Sequence, residues 1–215
     1  MQGLIWSEEP RIARIIMTKI KNVTFLGYSD TQPGEELYQQ AYDVASAVAR
    51  AGYVVVNGGG PGVMRASTEG AQWAGGTAVG VTFYPGAGAT YFEGHDPRNT
   101  VDELIETKTY LERTLKLLDY GDIYVIFNGG TGTFSEFGMA WGLARMYFKH
   151  HKPLILFGSF WYSILEEIAK SMLLREEELR VYRIVTEVDN VVPAIKQFEK
   201  ELEKEYGDNP FKPKG

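Results

Sequence analysis

Short apolar runs recur along this chain, and longer stretches with apolar positions every three or four residues separate them. The run NVTFLG (22–27) reads as a strand, and YVVVN (53–57), TAVGVTF (77–83), IYVIF (123–127) and PLILF (153–157) read the same way. ELIET (103–107) is a weaker strand, and YRIVTE (182–187) is the last. Between them, GEELYQQAYDVASAVARAG (34–52) places Leu37, Ala41, Val44, Ala45 and Val48 at helical spacing, with Gly52 as a stop. PGVMRASTEGAQWAG (61–75) predicts a helix with Pro61 near its first turn. Further helices are predicted over 109–121, 134–150, 160–173 and 191–206.

Strands that alternate with helices imply βαβ units, a parallel sheet and right-handed crossovers. The strands are continuous apolar runs rather than alternating ones, so both sheet faces should be covered. The expected fold is one three-layer α/β domain, Rossmann-like and doubly wound, with a mainly parallel sheet of about seven strands. Residues 22–206 form that domain, 1–21 an N-terminal extension and 207–215 a frayed tail. Residues 84–100, YPGAGATYFEGHDPRNT, make a long Gly/Pro-rich segment. Loops of that length either cover a site or make a solvated excursion.

Composition narrows the function classes. With 44% hydrophobic and 23% charged residues, 215 residues suffice for a sizeable core. A net charge of -6 gives no basic face for nucleic acid. The absence of cysteine rules out disulfides, thiolate metal sites and cysteine nucleophiles. The first residues lack a signal-peptide core, and no run approaches the ~18 apolar residues of a membrane span. A cytoplasmic protein with no membrane partner is expected. The three histidines, His95, His150 and His151, make no metal pattern, and no cofactor is called for.

Two glycine clusters each follow a strand and open a helix: NGGGPGVM (57–64) and NGGTGT (128–133). Glycine lets a ligand approach the backbone closely, and a helix N-terminus suits a phosphate. Each cluster is also compatible with a tight turn and no ligand. Neither has the Lys-Ser or Lys-Thr pair of a Walker A loop, and neither fits a dinucleotide fingerprint.

Glu136 stands just past the second cluster, among Phe134, Phe137, Met139 and Trp141. Thr133-Phe-Ser-Glu136 is a capping-box pattern, which would make the acid a helix cap. The apolar surroundings predict a largely buried helix, and then the carboxylate could instead face a cleft. Arg113 and Lys116 share a face of the preceding helix, either as a solvated basic face or toward that cleft.

At these residues the sequence resembles the LONELY GUY (LOG) family, often labelled lysine decarboxylase-like, which cleaves nucleoside 5'-monophosphates. The family pattern is Pro-Gly-Gly-x-Gly-Thr-x-x-Glu, preceded by a helix with an Arg-Lys pair. Here Asn128 stands in place of the proline, and Gly129, Gly130, Gly132, Thr133 and Glu136 match. Arg113 matches the arginine, while Thr114 replaces the lysine. GGGPGVMRA (58–66) looks like the family's Gly-Gly-Gly-x-x-Gly-x-Met segment, and FLGYSD (25–30) stands where the family has its first loop.

The resemblance implies hydrolysis of an N-glycosidic bond in a cytokinin riboside monophosphate or AMP-like nucleotide. Gly129, Gly130, Thr131, Gly132 and Thr133 would hold the 5'-phosphate, with Gly58, Gly59, Gly60, Met64 and Ser29 as further binding residues. Glu136 and Arg113 would be the catalytic pair. A homodimer is implied as well, and the apolar helix 134–150 could supply its contact or be an intramolecular core helix. The alternative is a non-catalytic nucleotide or molybdenum-cofactor carrier of the same fold. Pyridoxal-dependent decarboxylation is disfavoured, because it uses a Schiff-base lysine and none lies beside either glycine cluster.

Overall fold

The continuous apolar runs become strands whose alternate residues enter cores on opposite faces of the sheet. A computed structural model describes residues 20–84 and 96–207. Most of the expected N-terminal extension, residues 85–95 of the long segment and nearly all of the tail lie outside the described residues. The strands are β1 (Asn22–Leu26), β2 (Val54–Asn57), β3 (Ala78–Phe83), β4 (Glu103–Thr107), β5 (Ile123–Ile126), β6 (Leu154–Phe157) and β7 (Tyr182–Val185). They form one seven-stranded sheet in the order β4-β3-β2-β1-β5-β6-β7. Every pairing is parallel, as expected of a sheet built from βαβ units.

The helices are α1 (Glu36–Arg50), α2 (Val63–Trp73), α3 (Tyr110–Tyr120), α4 (Thr131–Met146), α5 (Phe160–Ser171), α6 (Glu176–Arg180) and α7 (Val191–Gly207). Successive strand residues point to opposite faces. Val23, Phe25, Ile123, Val125 and Ile155 therefore meet Val44, Ala66 and Ile195 of α1, α2 and α7. Leu26, Tyr124, Ile126, Leu154 and Leu156 meet Leu118, Phe137 and Trp161 of α3, α4 and α5. This is the expected three-layer, Rossmann-like arrangement.

Several boundaries differ from the pattern. β4 pairs only with β3 and exposes Glu103, Leu104 and Glu106, which explains its weak apolar signal. α2 spans Val63–Trp73 with Gly62 as its N-cap, shorter than the predicted 61–75, and Pro61 stands just ahead of its first turn. α4 starts three residues before the predicted Phe134 and ends at Met146. It exposes Phe134, Leu143 and Met146, so it is less buried within this chain than its composition predicts. α6 has no apolar period and was not anticipated; Glu176, Glu177 and Glu178 in its first turn favour the positive end of the helix dipole.

The order of strands positions the site. The chain moves from β1 to β4 along one side, then crosses back to place β5 on the other side of β1. Ligand crevices in such sheets open at the carboxyl ends of the strands where the order reverses. Here that point lies between β1 and β5, where FLGYSD and NGGTGT end up adjacent.

The fully buried Leu156 lies in the second core. Leu156→Ala should lower the unfolding free energy by about 2–5 kcal/mol in a urea titration, the cost of an internal cavity.

Candidate functional site

Three loops meet at the reversal point and are stitched by backbone bonds. Tyr28 N–H donates to the Asn128 carbonyl oxygen at 3.0 Å, and Val63 N–H donates to the Tyr28 carbonyl oxygen at 3.0 Å. The turn into α2 needs Gly62, whose φ is +65°. A Cβ there would also sit 2.3 Å from the Tyr28 carbonyl oxygen. Between the loops lies a cleft of about 370 Å³. Ser29, Gly58, Met64, Arg113, Glu136 and the stretch 130–133 line it.

One wall is the N-terminus of α4. Its N-cap is Gly130, which offers no side-chain cap, and the first intrahelical bond runs from Phe134 N–H to the Gly130 carbonyl oxygen. The amides of Thr131, Gly132 and Thr133 are thus first-turn donors without an intrahelical acceptor. This start overturns the capping-box assignment. Thr133 is already in the third helical position, and Glu136 comes a full turn too late to cap.

Glu136 is instead one half of a buried ion pair. Arg113 Nη1 lies 3.5 Å from Glu136 Oε1, and each residue is only 6% exposed. Arg113 comes from the first turn of α3, which Thr109 caps by accepting a hydrogen bond from Glu112 N–H. Its guanidinium is fixed on its other edges. Nε donates to the Val81 carbonyl oxygen at 3.2 Å, and Nη2 donates to the Gly58 carbonyl oxygen at 3.3 Å. Nη2 also lies 3.4 Å from Met64 Sδ. A Cβ on residue 58 would stand 1.6 Å from Nη2, so the first glycine of that cluster makes room for the arginine.

Burial raises the Glu136 carboxyl above its ordinary value of 4.5, and the charge of Arg113 opposes that shift. The result is an acid that protonates more readily than a surface glutamate, held against a cation and open to a cleft. Such a group is equipped to accept a proton.

Other expected residues are placed differently. Gly59 and Gly60 are buried behind the cleft wall, tied by their own backbone groups. Gly59 N–H donates to Asn57 Oδ1, the Gly59 carbonyl oxygen accepts from Asp96 N–H, and the Gly60 carbonyl oxygen accepts from Asn99 Nδ2. Lys116 turns outward to Asp119 at 3.8 Å. Among the described residues no group of three or more metal-ligating side chains gathers.

The structure also brings in residues that the pattern did not single out. Tyr28, Phe83 and Tyr110 line the cleft. Phe83 and Tyr110 meet edge to face at 5.9 Å, and the Arg113 guanidinium lies 5.7 Å from the Tyr110 ring centre. The one available signal for Tyr110 was its place one helical turn before Arg113. Asp96 is a second omission. It is buried and pairs with Arg65 of α2 at 3.3 Å, which pins the end of the long segment beside the first glycine cluster.

Comparison with known proteins places this geometry. The profile of the SLOG cluster4 family matches residues 20–190. This chain belongs to the SLOG cluster4 family. Membership accounts for the resemblance to LOG proteins carried by the glycine clusters. A cytokinin riboside 5'-monophosphate phosphoribohydrolase of Mycobacterium tuberculosis is 35% identical over 122 residues. The match covers 56% of this chain and 62% of that enzyme, less than two thirds of its length. The X-ray structure of TM1055 superimposes with a TM-score of 0.63 at 28% identity, covering 83% of this chain and 99% of that one. A molybdenum cofactor binding protein from Rippkaea orientalis has a TM-score of 0.61 at 22% identity, covering 84% and 98% of the two chains. At that identity the likeness is one of fold. No helix among the described residues is long and apolar enough to cross a membrane.

The ion pair makes a stability prediction. Arg113→Met leaves Glu136 buried without its cation, which should cost about 3–5 kcal/mol at neutral pH. With the folded carboxyl raised above its unfolded value, the penalty of the charged form is full above the folded pKa and eases as pH falls through it. Urea midpoints should therefore show a larger deficit at pH 7 than at pH 5.

Proposed function

We propose that this chain hydrolyses the N-glycosidic bond of a nucleoside 5'-monophosphate to free base and ribose 5-phosphate. The observation that carries this reading is the buried Glu136 carboxylate, 3.5 Å from Arg113 and facing the cleft beside the α4 N-terminus. The 5'-phosphate would take the first-turn amides of Thr131, Gly132 and Thr133, and the two threonine hydroxyls could add bonds. The same helix then presents Glu136 one turn further on, at the distance of a ribose.

Chemistry follows from that placement. The bond from C1' to the base nitrogen breaks, and the sugar develops oxocarbenium character. Glu136 stabilises the positive charge and takes a proton from water as its oxygen bonds to C1'. That proton passes to the departing base, which leaves neutral. Arg113 holds Glu136 in position and offsets negative charge on the phosphate or the leaving base. The raised carboxyl of Glu136 suits a group that both takes and returns a proton.

A carrier of the same fold is the competing reading, and the Rippkaea orientalis protein is a fold-level precedent. A carrier needs the glycine loops but has no use for an acid held in the cleft at a desolvation cost. The family relative named for phosphoribohydrolase activity also supports hydrolysis. We read the protein as acting in the cytoplasm as a two-fold dimer. α4 exposes Phe134, Leu143 and Met146, and neighbouring α3 exposes Leu111 and Leu115, apolar surface that a second subunit would cover.

Incubation with a panel of nucleoside monophosphates should release free base. Glu136→Gln keeps the shape of the side chain, so the variant should fold and bind nucleotide while its rate falls roughly 10²- to 10⁴-fold. An undiminished rate in that variant removes Glu136 from the mechanism. Light scattering at micromolar concentration should give the mass of a dimer, and a strictly monomeric mass contradicts the assembly.

A further inference from the structure

Arg113 alone carries a positive charge among the described residues that line the cleft. Each nitrogen of its guanidinium is engaged. Nη1 faces Glu136, Nε donates to the Val81 carbonyl oxygen and Nη2 donates to that of Gly58. Lys116, one turn further along α3, turns outward to Asp119. A phosphate at the first turn of α4 is therefore left to neutral donors. The three amides there meet only part of its need, because a phosphate presents three strong acceptor oxygens, each able to take more than one bond.

Tyr110 brings a further neutral donor to that point. Its hydroxyl oxygen stands 3.4 Å from the place that a Cβ on Gly132 would occupy. A Cβ lies about 2.5 Å from its own amide nitrogen, so the hydroxyl and the Gly132 amide are at most about 6 Å apart. One phosphate can span that gap, with a hydrogen bond of ~2.9 Å from the amide and a charge-assisted one of ~2.7 Å from the phenol. We propose that the Tyr110 hydroxyl donates a hydrogen bond to the 5'-phosphate of the nucleotide, an inference that rests on the placement of the phosphate proposed above.

The donor is held ready. The Tyr110 ring meets Phe83 of β3 edge to face at 5.9 Å, and the Arg113 guanidinium lies 5.7 Å from its ring centre. Tyr110 and Arg113 are neighbours one turn apart on α3, the spacing that lets such side chains touch. The backbone beneath them is fixed too. Thr109 Oγ1 accepts from Glu112 N–H at 3.1 Å, and Glu112 Oε2 accepts from Lys108 N–H at 2.9 Å. A side chain restrained in this way loses little conformational freedom when it meets its ligand. Tyr110 nevertheless keeps 46% of its surface exposed and lines the cleft. One side chain thus packs on the arginine that holds Glu136 and reaches toward the phosphate.

A ring that only shields Arg113 would not need its hydroxyl, so Tyr110→Phe separates the two roles. Full-length protein is titrated calorimetrically with ribose 5-phosphate, which has no glycosidic bond to break and so reports binding without turnover. Tyr110→Phe should weaken ribose 5-phosphate roughly tenfold, the loss of one hydrogen bond to a charged group, while its urea midpoint stays at the wild-type value. With adenosine 5'-monophosphate as substrate, KM should rise by a similar factor and kcat should change little, because the bond is made in the ground state and the transition state alike. Equal affinity of wild type and Tyr110→Phe for ribose 5-phosphate overturns the proposal. So does a loss of affinity accompanied by a lowered urea midpoint, or a wild-type protein that fails to bind ribose 5-phosphate at millimolar concentration. Tyr110-dependent binding in a protein that releases no base upholds the proposal and removes the hydrolytic reading. Base release with the same KM in both proteins does the reverse.

Discussion

A carboxylate and a guanidinium, each almost completely removed from water, stand 3.5 Å apart in the wall of the cleft. Burying either alone would be strongly destabilising, and even as a pair they retain a desolvation cost. Much of the surrounding architecture answers that constraint. The carbonyl oxygens of Val81 and Gly58 take up donors of Arg113 that Glu136 does not reach. Gly58 lacks a side chain because the arginine occupies its place. Asn57, Asn99, Asp96 and Arg65 in turn fix the glycine cluster that carries the Gly58 carbonyl. The first glycine cluster is thereby a support for the arginine as much as a surface for a ligand.

The same constraint links fold to chemistry. Strand order brings the ends of β1, β2 and β5 together, so α2, α3 and α4 contribute to a single cleft. α4 carries both elements of the proposed reaction, free amides at its first turn and the acid at its second. In the proposed reaction this rigid helix would set the spacing between phosphate and ribose without any adjustable loop. The residual cost of keeping Glu136 charged appears as its raised carboxyl, which is also the property a proton-transferring group needs.

Much of this was legible in the residue pattern, and the omissions have identifiable causes. Continuous apolar runs such as Tyr53–Asn57 signal strands covered on both faces because burial on both sides removes the polar alternation. Glycine clusters after two of those strands marked the ends that matter. The start of α4 misled because Thr133-x-x-Glu136 has the spacing of a capping box, whereas glycines let the helix begin earlier, at Thr131. Lys116 was grouped with Arg113 because helical spacing puts them near one face. A small rotation separates them, one turned inward and the other toward Asp119. Asp96, Asn99 and Arg65 could not be read locally, since their contacts join residues some 30 to 40 positions apart. The histidines were set aside because they make no metal pattern, and only the packing of α7 against β6 and β7 reveals that His151 is buried beside a cavity.

The central claim is that the buried Glu136 carboxylate, held by Arg113, acts as the proton acceptor in nucleotide cleavage. The pH dependence of the maximal rate of base release by the wild-type protein tests it most directly. Activity should fall on the acid side with an inflection clearly above the ordinary glutamate value of 4.5, as the carboxylate is protonated. A rate that stays level down through pH 4.5 would contradict the account, because the proton acceptor would then be a group other than Glu136.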